Sequence, residues 1–375
     1  MNKNFALVMR RAMEAVRTQH LREATELIRQ AQAGVKDGGG AGTDPVSTGG
    51  AAKGLPAPLW NAEPRKALGE VVRLLQEGRR LAFPPGASPP PSLAEGAQFI
   101  ARSLDCPAGS RAYRLYIPAC PADEIRGLVV MLHGCTQTPE DFAVGTGMNA
   151  VAERNRLLVA YPGQTRVANI SGCWNWFDPA HQARNAGEPA IIAAITREIA
   201  RGYGIGLDRS FVAGLSAGGA MAAVMAETYP ELYAAVGIHS GLAYGAASDA
   251  ASAFAAMRGL GHSPGRRSGS RPRRMIVFHG TADATVNPCN AGIIVTSARS
   301  ALSGGVFRKT RNADANGRST ERSTIVMPDG TVALELWMID GAGHAWSGGD
   351  PAGSYTDPDG PKASVEMVRF FLKDD

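Results

Sequence analysis

The chain has 375 residues, 44% of them apolar and 19% charged, with 45 Gly and 24 Pro. That is long for one compact domain, apolar enough for a sizeable core and rich in loops. No window approaches the ~18 consecutive apolar residues of a membrane-spanning helix, so a polytopic membrane protein, a coiled coil and a mostly disordered chain are excluded. The net charge of +5 owes much to one stretch carrying Arg266, Arg267, Arg271, Arg273 and Arg274. No recognition motif or interleaved aromatic pattern accompanies that stretch, so no nucleic-acid partner is expected and the stretch reads as a solvated loop.

Residues 1–33 read as an amphipathic N-terminal helix, with Phe5, Met9, Met13, Val16, Ala24, Leu27 and Ala31 at spacings of three and four. Its expected role is to pack one face on the main body or on a partner. Contact with a granule or membrane surface is the alternative, against which Glu14, Glu23 and Glu26 argue. Lys3, Arg10 and Arg11 are not followed by an apolar h-region, so no standard signal peptide is visible. Residues 34–94 read as a Gly- and Pro-rich linker, with GGGAG at 38–42, a short helix near 63–77 and FPPGASPPPS at 83–92. The remainder, 95–375, is expected to be the catalytic domain.

From residue 95 onward the pattern is of strands alternating with helices. Phe99–Asp105 and Ala112–Pro118 read as an antiparallel pair. Leu128–Leu132, Leu157–Tyr161, Ser210–Ala213, Ala234–His239, Met275–Phe278 and Ala333–Ile339 bring the count to eight strands. Helices are expected near 146–155, 187–203, 217–229, 290–303 and 362–372. Such alternation predicts an α/β fold, a mainly parallel sheet covered on both faces. Sites in such sheets form at the carboxyl ends of the strands.

Gly214-Leu215-Ser216-Ala217-Gly218 is a GxSxG motif entered by a strand and left by an Ala- and Met-rich helix. That context exposes a serine hydroxyl on a sharp turn. A second copy, Gly261-His262-Ser263-Pro264-Gly265, sits in a loop rich in Arg, Pro and Gly. Pro264 has no N–H to give an oxyanion, whereas Ala217 does. Ser216 is therefore the candidate nucleophile.

A serine needs a base, and the chain order in such sheets is serine, acid, histidine. Asp283 stands just past the strand Met275–Phe278, and His344 is the histidine that follows it, in a glycine-flanked loop after Ala333–Ile339. Asp249 is the rival acid, and Asp340 is expected to fix the His344 loop. His133 precedes Asp283 and reads as structural. The loop His133-Gly134-Cys135-Thr136-Gln137 should supply the second oxyanion donor, from the N–H of Cys135 or Thr136.

Trp174, Trp176 and Trp346, with Phe177, lie in loops of the same face and are expected to rim the site as a substrate-binding platform, with core packing as the alternative. The five cysteines form no CxxC pair, which leaves zinc ribbons and thioredoxin-like motifs unsupported. Cys135 and Cys173 lie in loops that should meet, and a disulfide between them is one outcome that spacing alone does not establish.

The segments LHGCTQTPEDF at 132–142, GCWNWFDP at 172–179, AGLSAGGAMAA at 213–223, GIHSGLAYG at 237–245, FHGTADATVNP at 278–288 and GAGHAWSGG at 341–349 resemble bacterial esterases of the poly(3-hydroxybutyrate) depolymerase family. The resemblance covers roughly residues 95–375. It implies the α/β-hydrolase fold, kinship with feruloyl and acetylxylan esterases, and an extracellular or cell-envelope carboxylic-ester hydrolase with a triad of Ser216, Asp283 and His344. The expected substrate is a polyester or a small ester, with no metal or organic cofactor. Two departures stand out: the secretion signal is not evident, which makes a cytoplasmic location the alternative, and the basic insert at 258–274 looks peculiar to this chain. The rival functions are a feruloyl- or acetylxylan-type esterase on plant polysaccharide and, from another class, a granule- or surface-binding protein with negligible turnover.

Overall fold

A computed structural model describes residues 91–260, 273–300, 302, 304–313 and 318–373. The 1–33 helix, almost all of the 34–94 linker, the second GxSxG copy and most of the basic insert lie outside the described residues. The chain divides into two units, Met1–Leu81 and Ala82–Asp375, and the architecture that follows is that of the second.

Ten strands form one sheet. In chain order they are β1 (Gln98–Cys106), β2 (Gly109–Ile117), β3 (Gly127–Leu132), β4 (Leu157–Pro162), β5 (Ser210–Leu215), β6 (Ala235–His239), β7 (Arg274–Gly280), β8 (Val306–Ala313), β9 (Ser319–Val326) and β10 (Val332–Ile339). The spatial order is β1-β2-β4-β3-β5-β6-β7-β10-β9-β8. The strands from β4 to β10 in that order run parallel, and an antiparallel pair closes each edge. Two very short strands, β11 (Trp346–Ser347) and β12 (Thr356–Asp357), pair separately.

All eight expected strands are present, and among the described residues the sheet's count of eight is corrected to ten by β8 and β9. The hairpin they form hides from hydrophobic patterning because it is an edge. Its sequences, VFRKTRNA and STERSTIV, carry charges and hydroxyls where a central strand carries Val and Ile. Register comes partly from cross-strand charge, with Lys309 Nζ 2.8 Å from Glu321 and Arg322 2.7 Å from the buried Glu335. Charged edges also discourage pairing with another chain.

The central strands are buried on both sides, and their alternation divides the core in two. Leu128, Val130, Leu132 and Val212 join the cluster under α3 (Gly187–Gly202) and α4 (Ala217–Thr228). Val129, Met131, Phe211, Ala213 and Leu215 join the opposite cluster, under α1 (Pro139–Thr146), α2 (Met148–Asn155) and α7 (Ala363–Leu372). Helices α5 (Ala250–Ala255) and α6 (Cys289–Arg299) complete the set among the described residues. Helix α1 is capped by Thr138, whose hydroxyl accepts from the Asp141 N–H, with Pro139 at its first position.

Candidate active site

Ser216 sits between β5 and α4 with φ 56° and ψ −119°, a backbone region that a side chain enters only when its surroundings hold it there. Its N–H donates to the His239 carbonyl at the end of β6, 2.9 Å away. The two motif glycines make the turn sterically feasible. A Cβ on Gly218 would stand 1.9 Å from the Leu132 carbonyl oxygen, and one on Gly214 would stand 2.4 Å from Gly218. The serine is thus raised above the sheet and partly exposed, while nearly all of α4 behind it is buried.

Asp283 and His344 meet at the same edge. Asp283 Oδ2 lies 2.7 Å from His344 Nδ1, with the carboxylate fully buried and the imidazole a tenth exposed. The other carboxylate oxygen accepts from the N–H groups of Thr285 (2.9 Å) and Val286 (2.8 Å). Burial alone would push this carboxyl up. Hydrogen bonding to His279 and His344 and to the Val286 backbone outweighs burial and holds it well below the ordinary carboxylate range. The loops after β7 and β10 are cross-tied: Thr281 N–H donates to Ile339, Ala282 N–H to Ala342, and Gly341 N–H to the Thr281 hydroxyl, each at 2.9 Å.

The rival residues are occupied elsewhere. Asp249 caps α5 in a reciprocal pair with Ser252. Asp340 pairs with Arg311 at 2.6 Å. His133 is buried, accepts from the Gln164 N–H at Nε2 (3.0 Å) and lies 2.7 Å from the Gly134 carbonyl at Nδ1. Burial pushes it down to about 4. It is a neutral structural residue, as its sequence position suggested.

On the far side of Ser216, β3 ends in the turn Gly134–Gln137, closed by a Gln137 N–H bond to the Gly134 carbonyl (3.3 Å). Thr136 has φ 67°, at the turn position normally filled by Gly or Asn. That left-handed conformation costs a side-chain-bearing residue ~1–2 kcal/mol, and a β-branched one is an outlier there. The Thr136 N–H donates to Ser171 (3.0 Å), which commits one of the two expected oxyanion donors and leaves the Cys135 N–H as the candidate. Cys135 is bridged to Cys173 by a disulfide. Ala217, the first residue of α4, offers the other N–H, since groups in the first turn of a helix have no partner within it.

The three tryptophans correct the platform expectation. Trp174 is fully buried, Trp346 is 1% exposed and Trp176 6%. Trp174 Nε1 donates to the His133 carbonyl (3.1 Å), and Trp346 Nε1 donates to Ser364 Oγ (3.1 Å) while its ring stacks on His239. The polar edges of Trp174 and Trp346 anchor loops from beneath and Trp176 is buried against Phe177, so the three pack rather than rim. The loop before Trp174 instead exposes Val167 and Ile170. Sequence reasoning also missed the support of the Gly134–Gln137 turn. Gln137 Oε1 accepts from Gly134 N–H (2.8 Å), while its amide donates to Asp141 (3.1 Å) and to the Ser354 carbonyl (3.0 Å). Glu188, buried in the first turn of α3, accepts from Asn175 N–H (2.8 Å) and from Gln164. The signal available for Gln137 was its place three residues after Gly134; nothing in the spacing pointed to Glu188 or Ser354.

Residues 111–305, just over half of the chain, match the family described as Esterase PHB depolymerase. The chain belongs to this family. It is 31% identical over 229 residues to poly(3-hydroxyalkanoate) depolymerase C of Paucimonas lemoignei, covering 58% of this chain and 54% of that protein. It is 35% identical over 201 residues to feruloyl esterase B of Neurospora crassa, covering 48% of this chain and 66% of that protein. The chain thus spans between half and two thirds of the length of these relatives. Its fold is similar to that of an acetyl xylan esterase from Aspergillus awamori, with a TM-score of 0.55 at 24% identity over 74% of this chain and 98% of that one. The α/β-hydrolase fold expected from the sequence is the fold observed. No helix among the described residues is long and apolar enough to cross a membrane.

Proposed function

We propose that the chain is a serine carboxylic-ester hydrolase that works through an acyl-enzyme. Ser216 Oγ attacks the ester carbonyl as His344 takes its proton. Asp283 holds the imidazole in the tautomer with hydrogen on Nδ1 and stabilises the imidazolium. The N–H groups of Ala217 and Cys135 receive the oxyanion, each contributing about 3 kcal/mol of barrier lowering. The alcohol leaves with the proton from His344, and water repeats the cycle to release the acid. The observation that carries this reading is the buried carboxylate–imidazole pair at 2.7 Å, at the same sheet edge as a serine held at φ 56°.

The substrate class proposed is poly(3-hydroxybutyrate)-type polyester, its oligomers or similar hydroxyacyl esters, supported by the family match and the depolymerase relative. The feruloyl esterase relative supports a second reading, an aryl esterase on plant polysaccharide. The Cys135–Cys173 bridge supports an oxidising, extracellular setting. Ser216→Ala should lower ester turnover by about 10⁶-fold, the scale seen when a triad serine is removed, and should abolish fluorophosphonate labelling while the protein stays folded. Labelling that persists in Ser216→Ala would rule Ser216 out as nucleophile. Relative kcat/KM on hydroxybutyrate oligomers and feruloyl sugars separates the two substrate readings.

A further inference from the structure

The proposed catalytic cycle leaves unused a buried histidine beside Asp283. His279 is the penultimate residue of β7, in register with Met338 of β10, and is fully buried. Its Nε2 lies 2.9 Å from the Val286 carbonyl oxygen and 3.4 Å from Asp283 Oδ2. A carbonyl and an ionised carboxylate can only accept, so Nε2 carries the hydrogen and faces both with it. The Val286 N–H in turn donates to Asp283 Oδ1 (2.8 Å). Imidazole, Val286 peptide groups and carboxylate thus close a ring around the turn 283–286. The other imidazole nitrogen, Nδ1, is buried and meets no hydrogen-bond partner among the described residues. Burying a polar group in that state costs about 1–3 kcal/mol, which an aliphatic side chain in the same place would avoid. Packing therefore does not account for a histidine here, whereas its Nε2–H does.

We infer that His279 is a positioning residue, whose Nε2–H holds the Val286 carbonyl and the Asp283 carboxylate so that Oδ2 stays aimed at His344 Nδ1. This rests on the proposed serine-hydrolase reading of the same site. The N–H groups of Thr285 and Val286 both go to Oδ1. A carboxylate held by that oxygen alone pivots about it, and Oδ2 then leaves the line to the imidazole. His279 removes this freedom twice, by standing at Oδ2 and by fixing the peptide that grips Oδ1. His279 and His344 reach Oδ2 from different loops, one from the end of β7 and one from the segment after β10. The division of labour is then plain: His344 moves the proton, and His279 keeps its partner in place.

The test is a double-mutant cycle on the full-length protein with a p-nitrophenyl ester. His279→Leu should lower kcat about 10- to 100-fold, the scale of loss when a reacting group is displaced by about 1 Å. KM should change less than about threefold, because a fully buried side chain makes no ground-state contact with substrate. In the Asp283→Asn background the same substitution should cost less than about threefold, since no carboxylate remains to be aimed. His279→Gln, whose amide nitrogen reaches the position of Nε2, should keep kcat within about threefold of the wild type. If His279→Leu does not fold, His279→Asn, whose amide ends near the position of Nδ1, makes the same comparison. Proton NMR gives a readout independent of turnover. The downfield resonance of the His344 Nδ1–H should move upfield in His279→Leu, as the bond to Asp283 loosens, and stay in place in His279→Gln. Losses of equal size in both backgrounds overturn the inference, because His279 would then act on the fold and not through Asp283. An unmoved resonance with unchanged kcat overturns it too, as does a Gln variant as slow as the Leu variant. A wild-type protein that hydrolyses no ester would count against the serine-hydrolase reading alone, and the resonance would still decide the role of His279.

Discussion

The two flanks of Ser216 reach order by different means. On the acid side, the loops after β7 and β10 are tied by backbone hydrogen bonds that extend the parallel sheet beyond its last residues, and Asp283 and His344 ride on them. On the proposed oxyanion side, the turn after β3 leaves the sheet, takes a left-handed residue and is held by side chains and a disulfide. Geometry that continues a sheet is supplied by backbone bonding the fold already makes. Geometry that departs from it needs dedicated cross-links.

The largest expected effect tests the acid flank. Asp283→Asn should lower kcat about 10⁴-fold, because an amide favours the wrong imidazole tautomer. Asp249→Asn, whose carboxylate caps α5, should leave kcat within a few-fold. Indifference to Asp283 combined with loss at Asp249 would move the acid to the strand before.

That same contrast governs what could be read from sequence. The pairing of Asp283 with His344 was legible because strand order and chain order suffice where backbone bonds set the geometry. The burial of Trp174, Trp176 and Trp346 was not legible: a tryptophan beside a site motif looks the same in sequence whether its ring points out or its indole N–H anchors a loop from below. The β8–β9 hairpin escaped because edge strands lack an apolar face, and α1 escaped because Thr138-Pro139 reads equally as a loop and as a helix cap. The conformation of Thr136 gives no sequence signal, since threonine is the wrong residue for it.

The tryptophans supply the next largest effect, one on each flank. Trp174→Ala and Trp346→Ala should each destabilise the protein by about 3–5 kcal/mol, chiefly from lost burial, with the His133 carbonyl losing its indole donor in the first case and the Ser364 hydroxyl keeping only its bond to the Thr146 carbonyl in the second. Denaturant midpoints measure the loss. Turnover of polymer and of p-nitrophenyl acetate should fall in parallel. A polymer-specific loss at unchanged stability would restore the platform reading.

Acid sharpens the comparison further, because each flank buries a neutral histidine. Burial pushes His133 down to about 4; burial and the neighbouring His279 and His344 push His239 down to about 3. The unfolded chain protonates both near 6.5, so below that pH it binds more protons than the folded state does. Stability is therefore full above pH 6.5 and falls as pH drops toward 4, by up to about 1.4 kcal/mol per pH unit for each histidine. Asp283 acts lower, since its depressed value keeps its contribution intact above its ordinary value near 3.8 and loses it only beneath. Urea titrations at pH 7.5, 5.5 and 4.5 should show this slope, and a flat profile would mean that these imidazoles are not held neutral.

The smallest effect on stability falls on the exposed part of the oxyanion flank. Val167 is 100% exposed and Ile170 85%, in the loop that Cys173 fastens to the oxyanion turn. Exposed side chains of this kind contribute within ±0.5 kcal/mol to folding, so Val167→Ser with Ile170→Ser should leave the unfolding midpoint almost unchanged. Against the apolar face of a solid polyester, however, each would bury aliphatic surface worth about 1.5–3 kcal/mol if fully covered. Partial cover of both suffices for a tenfold effect, or ~1.4 kcal/mol. On the proposed reading a small soluble ester gains nothing from them, whereas binding energy from remote parts of a large substrate is what such residues would supply. On the proposed polyester reading, turnover of film should therefore fall about tenfold in the double variant, with kcat/KM for p-nitrophenyl acetate unchanged. Val306→Ser with Phe307→Ser, about half exposed on the β8 edge away from the site, should leave film turnover alone. Equal losses in both double variants would mean that adsorption follows general surface apolarity, and the difference between the two flanks would then stop at the turn itself.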